Sequence, residues 1–94
     1  MNRYSYRIFY DPTAHDGAAL SDEKVSEAFS DIDRHVQEEI ALGGSDTGAT
    51  VALEPEAGND EAWILTVETI LFEDLAGTLV DNALRRLQLA GKRL

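Results

Sequence analysis

The sequence predicts an α+β fold, a two-layer sandwich in which two helices cover one face of a three-stranded mixed sheet. Residues 3–10 and 62–72 alternate between the two sides of an extended chain, and two longer segments repeat apolar residues at helical spacing. In the resulting order β-α-β-β-α, a right-handed crossover places the third strand in the middle, parallel to the first and antiparallel to the second. This is a ferredoxin-like pattern that lacks its last strand.

Length and composition indicate one domain, residues 1–94, with a single hydrophobic core. The chain has no cysteine, so disulfides, thiolate nucleophiles and cysteine metal sites are excluded. Its first residues lack the apolar core of a signal peptide, and no apolar run approaches the roughly 20 residues of a membrane span. We therefore expect a soluble, cytoplasmic protein with no membrane partner.

The first half of the chain predicts one strand, one loop and one helix. The strand at 3–10 places its tyrosines on one face, which we expect to point to the core. Asp-Pro and His-Asp-Gly predict a loop at 11–20. Ser21 then suits an N-cap, and apolar residues at helical spacing predict a helix over 22–42 that Gly43 terminates.

The second half predicts a hairpin followed by a second helix. A short strand at 49–54 leads through an acidic turn at 55–61 into the central strand at 62–72. The second helix runs from 73 to about 91, with acidic residues at its start and basic residues near its end, as the helix dipole favours. Gly77, inside its apolar stripe, indicates close packing at that point.

Alternation along the central strand determines which side chains face the helices. Trp63 and Val67 point to the helices in the predicted register, and Arg7 and Glu68 can pair on the uncovered face. That face should be an apolar patch in need of a partner. The apolar residues that it leaves uncovered are Phe9, Ala52, Ile64 and Ile70.

The net charge of −10 is unevenly distributed. All of the 18 acidic residues except Asp81 lie between Asp11 and Asp74, where the basic residues are Lys24 and Arg34. Direct nucleic-acid binding is disfavoured, because it depends on neutralising phosphates with lysine and arginine. A basic protein surface is the better partner.

No residue set predicts catalysis, a metal or a cofactor. His15 and Asp16 form a nominal acid/base pair, but adjacent loop residues rarely face each other and nothing nearby completes a site. His35, with Asp31 and Glu39 one turn away on either side, has metal-ligand spacing but offers only one nitrogen ligand. We therefore expect a protein that is not an enzyme.

The leading hypothesis is a small acidic protein-binding module that imitates nucleic acid. It would inhibit or antagonise a basic, nucleic-acid-handling protein, as phage anti-defence and immunity proteins do. The alternatives are a halophile housekeeping domain or a small ligand-binding homodimer joined through the open sheet face, with a small enzyme third. The residues predicted to meet a partner are Glu23, Glu27, Asp31, Glu38, Glu56, Asp60, Glu61, Ile64 and Ile70.

Overall fold

The computed structural model describes residues 1–10, 22–58 and 62–94. Over these residues the chain forms four strands and two helices in the order β-α-β-β-α-β. The strands are β1 (Asn2–Tyr10), β2 (Thr50–Pro55), β3 (Ala62–Thr69) and β4 (Leu89–Arg93), and the helices are α1 (Asp22–Gly44) and α2 (Glu73–Arg86).

The four described strands form one sheet in the order β2-β3-β1-β4, and every neighbouring pair is antiparallel. The α+β class and the position of β3 between β1 and β2 are confirmed. The three-stranded mixed sheet is wrong, because β3 runs antiparallel to β1 and β4 lies on the other side of β1. Strands β1 and β2 are instead parallel to each other, with α1 as their crossover. The arrangement contains the last strand of the ferredoxin-like pattern.

The second helix ends at Arg86, about five residues earlier than predicted. Gln88 takes a left-handed conformation with φ of 57°, which reverses the chain direction. Leu89 then pairs with Tyr10 at the end of β1 and is almost fully buried. The residues that the sequence analysis assigned to the end of α2 therefore belong to β4.

Both helices pack on the same face of the sheet, and the side chains between them form one core. Leu65 and Val67 are fully buried there, so the predicted register of β3 is confirmed. The ring of Trp63 stacks on Phe29 of α1, with centroids 5.6 Å apart. The other large side chains that are fully buried in the core are Ile8, Ile32, Val36, Ile40, Val80, Leu84 and Leu89.

Helix α1 continues through Gly43 and Gly44 rather than ending before them. A β-carbon at either glycine would collide with the side chains of Leu71 or Leu79, so the glycines let the last turn of α1 approach the start of α2. The chain leaves the helix at Ser45, which has φ of 58°. The predicted N-cap, Ser21, lies outside the described residues.

Gly77 is a site where a substitution is expected to stabilise the protein. The close packing predicted there is wrong, because an added β-carbon would meet only the Tyr6 hydroxyl at 4.0 Å, an ordinary contact distance. Gly77→Ala should raise the free energy of unfolding by about 0.5–1 kcal/mol, since glycine is costly inside a helix. Urea unfolding followed by circular dichroism measures the change.

Gly91→Ala is the matched control, because the same substitution there should have the opposite sign. Its β-carbon would lie 2.6 Å from Leu84 Cδ1 and 3.2 Å from Ile8 Cδ1, both in fully buried side chains. Overpacking of this kind costs about 1–3 kcal/mol. A destabilised Gly77→Ala variant beside an unaffected Gly91→Ala variant would contradict the packing described here.

Candidate protein-binding surface

Three of the acidic residues predicted on α1 lie together on its outer face. Glu23 and Glu27 are exposed and Asp31 is half-buried, at intervals of one turn along the helix. With Ser26 and Ser30 they line a shallow, open depression of about 400 Å³. Helical periodicity thus correctly placed these carboxylates on one surface.

Arginines neutralise many of the other carboxylates. Glu23 and Glu27, however, have no ion-pair partner among the side chains that the structure describes. Among the described side chains, the negative charge of this pair is therefore not balanced by an arginine. Over the described residues, the ion pairs made by arginines are Arg3–Glu68 at 3.9 Å, Arg7–Glu56 at 2.7 Å, Arg34–Asp31 at 3.4 Å, Arg86–Glu38 at 3.7 Å, Arg86–Glu39 at 3.5 Å and Arg93–Glu73 at 3.3 Å.

Glu38 differs from the other three acidic residues because it belongs to a contact between the two helices. Arg86 of α2 donates a hydrogen bond to Nδ1 of His35 at 2.6 Å and lies close to Glu38 and Glu39. Asp31 turns instead toward Arg34, so the metal-ligand set considered around His35 is not assembled. The cluster links α1 to α2 and makes Glu38 a partly neutralised member of the acidic face.

The hairpin between β2 and β3 lies at the same end of the molecule as the start of α1. The backbone N–H of Glu56 donates to the carbonyl of Ala62 at 3.0 Å, and the Trp63 ring beside this bond stacks on Phe29 of α1. The carboxylate of Glu56 is bound by Arg7 at 2.7 Å, so its charge is largely compensated. The other predicted tip residues, Asp60 and Glu61, lie outside the described residues, as does the His15–Asp16 pair.

The open face of the sheet carries ion pairs that differ from the predicted one. Arg7 does not pair with Glu68; it bonds Glu56, and Arg3 approaches Glu68 instead. The register explains this, because Arg3 lies directly opposite Glu68 on β3 whereas Arg7 lies opposite Ile64. Charged groups therefore occupy both ends of this face.

The large apolar side chains of the open face are partly covered. The guanidinium of Arg7 lies over the ring of Phe9, 5.6 Å from its centroid, and Ile64 is half-buried. Ile70 is 63% exposed but lies just beyond the end of β3, outside the sheet. The predicted patch is consequently smaller and more polar than the sequence indicated.

Asp46 is a buried carboxylate whose role the sequence did not reveal. It is only 5% exposed and accepts hydrogen bonds from the Thr69 hydroxyl at 2.5 Å and from the backbone N–H groups of Ile70 and Gly48, both at 3.1 Å. The pKa of Asp46 is lowered mainly by the hydrogen bond from Thr69, and the two backbone donors lower it further. Burial acts in the opposite direction and raises it. This network ties the loop before β2 to the end of β3.

Tyr6 is the second group with a shifted pKa. Burial raises the pKa of its phenol, and the nearby Arg93 acts in the opposite direction. Its hydroxyl has no hydrogen-bond partner among the described residues. The Arg93 guanidinium lies over the rings of Tyr4 and Tyr6 and pairs with Glu73, so it joins β4 to the start of α2.

Comparison with protein-family models found no match, and comparisons with curated proteins and with solved structures found none either. Over the described residues, neither α1 nor α2 has a stretch long and apolar enough to cross a bilayer. The described residues also hold no group of three histidine, aspartate or glutamate side chains arranged for a metal ion.

Proposed function

We propose that the protein is a non-enzymatic binding module that inhibits a basic, nucleic-acid-handling protein in the cytoplasm. The observation that carries this proposal is the row of exposed carboxylates on the outer face of α1, where Glu23 and Glu27 have no ion-pair partner among the described side chains. Elsewhere, five arginines are each engaged by carboxylates of the same chain. Glu23 and Glu27 are exposed and lie one helical turn apart, so a partner can reach both.

The helix gives these carboxylates a fixed spacing. Residues four apart are about 6 Å apart along a helix axis, so successive carboxylates can meet successive lysines or arginines of one groove. Asp31 extends the row by one more turn, although Arg34 lies 3.4 Å from it. A rigid row of this kind loses little conformational entropy on binding, which favours an antagonist that competes with nucleic acid.

The net charge of −10 adds long-range attraction to a basic target. Complementary charge raises association rates more than it lengthens the lifetime of the complex. We therefore expect binding that is fast at low salt and slows steeply as salt is added.

Charge reversal of the exposed pair tests the proposal. A Glu23→Lys/Glu27→Lys variant should associate at least about tenfold more slowly at low salt, with a smaller change in dissociation rate. The target is first captured from lysate at low salt by the wild-type protein, purified, and shown to bind nucleic acid. Surface plasmon resonance then measures both rate constants at several salt concentrations.

A Glu54→Lys/Asp81→Lys variant is the matched control. It changes the net charge equally, but Glu54 lies on the open face and Asp81 on α2, both exposed. This control should keep most of the wild-type association rate, and circular dichroism should show all three proteins folded. If both variants slow association equally, the charge acts without a defined surface. If neither does, the charge has no part in binding and the proposal fails.

A further inference from the structure

The end of the molecule opposite the start of α1 carries large apolar side chains in contact with solvent. We call this surface the apolar end. It lies where α1 finishes, β3 finishes and α2 begins. Its residues and their exposed fractions are Leu42 at 84%, Ile70 at 63%, Phe72 at 82% and Leu75 at 44%.

Contacts of neighbouring residues bring the segments that carry these four side chains to one end. The last turn of α1, next to Leu42, packs against Leu71 and Leu79, where its glycines allow close approach. The side-chain amide of Asn2, at the start of β1, donates to the carbonyl of Leu71 at 3.0 Å. The apolar end is therefore built on a packed junction of four elements.

Phe72 occupies a position where its residue type is unfavourable for the fold. It is the N-cap residue of α2, and its side chain makes no capping hydrogen bond. Serine, threonine, aspartate or asparagine at this position would satisfy a backbone N–H and stabilise the helix. A phenylalanine that breaks this local rule and is 82% exposed indicates a role outside the monomer.

The size of the apolar end suits a dimer. At these exposed fractions the four side chains present on the order of 500 Å² of apolar surface, comparable to the largest patch on a typical monomer. Two copies facing each other would bury on the order of 1,000 Å² before any rim residue is counted, the lower limit for a specific interface.

The charges around the apolar end favour a second copy over another partner. Arg3, whose contact with Glu68 is long at 3.9 Å, and Asp74 are both exposed beside it, and a two-fold axis can set Arg3 of one copy against Asp74 of the other. The uncompensated Glu23 and Glu27 lie at the far end of a molecule 36 Å long. That distance exceeds the Debye length of about 8 Å at physiological salt, so the acidic ends of two copies would repel each other weakly.

We infer that the apolar end is the interface of a two-fold homodimer with Phe72 at its centre. This interface differs from the open sheet face, where ion pairs cover part of the surface. The dimer leaves the acidic face of α1 exposed on each copy. The inference is independent of the proposed function, because it concerns different residues and needs no target protein.

Phe72→Asp tests the inference without risk to the fold, because aspartate is a preferred N-cap residue. Sedimentation velocity between about 1 and 200 µM should show the wild-type protein approaching twice the chain mass of 10.3 kDa as its concentration rises, and the variant shifted toward the chain mass at each concentration. The variant should weaken the dimer at least about thirtyfold, since a buried aromatic anchor is lost. Its thermal unfolding should show a stable native state.

Ile64→Arg, on the open face, is the control and should remain dimeric. A wild-type protein that is monomeric at 200 µM would overturn the inference. So would a dimer whose dissociation constant is unchanged by Phe72→Asp, whatever Ile64→Arg does.

Discussion

Val67→Asp is expected to leave the protein unfolded in ordinary buffer. Val67 has no exposed surface and lies between Tyr4 of β1 and Val51 of β2 in the register of the sheet. An aspartate there places a carboxylate in the core without a partner, which costs about 3–5 kcal/mol in addition to the lost apolar contacts. The whole stability of a domain of this size is about 5–14 kcal/mol.

Circular dichroism and the fluorescence of Trp63 measure the outcome. The wild-type emission should be blue-shifted, because Trp63 is half-buried against Phe29, and the variant should emit like a solvated indole. Thr66→Asp is the matched control, since Thr66 precedes Val67 and faces the open side of the sheet. It should change the free energy of unfolding by about 1 kcal/mol or less. A folded Val67→Asp protein beside an unfolded Thr66→Asp protein would mean that Thr66, and not Val67, faces the core.

The central strand was predictable because its alternation is a local property. Side chains at 65 and 67 point the same way in any extended chain, and their neighbours in the sheet only decide which face is buried. Strand direction is not local, and the predicted parallel pairing of β1 with β3 was wrong for that reason. The registers Asn2 opposite Thr69 and Phe9 opposite Ala62 follow from the packing of the whole sheet.

Strand β4 was missed because its sequence fits two structures. Leu87 and Ala90 continue the helical spacing of α2, whereas Leu89 and Gly91 alternate as in a strand. The turn between the two elements depends on a left-handed backbone conformation at Gln88. Glutamine is not a residue type that predicts this conformation. Burial of Leu89 against β1 decides in favour of the strand.

The acidic face of α1 was predictable, but its neutralisation was not. Helical spacing placed Glu27 and Glu38 on the outer surface, and both are exposed. The pairing of Glu38 with Arg86 joins residues far apart in the sequence, so no local pattern could show it. Phe72 was assigned to the end of the central strand, and only the structure makes it the N-cap of α2.

Asp46→Asn is expected to lower the melting temperature by on the order of 10 °C at neutral pH. One carboxylate oxygen of Asp46 accepts from Thr69 and Ile70, and the other accepts from Gly48. An asparagine must turn its NH₂ group toward one of these sets of donors, so a donor meets a donor at a buried site. Differential scanning calorimetry measures the change.

The pH dependence of the melting temperature distinguishes the effect of the Asp46 charge from the effect of the side-chain shape. Because hydrogen bonding holds the pKa of Asp46 below its usual range, its contribution is fully present above about pH 4 and is lost as the pH falls through the lowered pKa. The wild-type and Asp46→Asn melting temperatures should therefore differ at pH 7 and converge in strong acid. Glu54→Gln, at an exposed carboxylate of β2, should match the wild type throughout. A difference that stays constant from pH 7 to pH 2 would mean that the charge of Asp46 does not stabilise the loop.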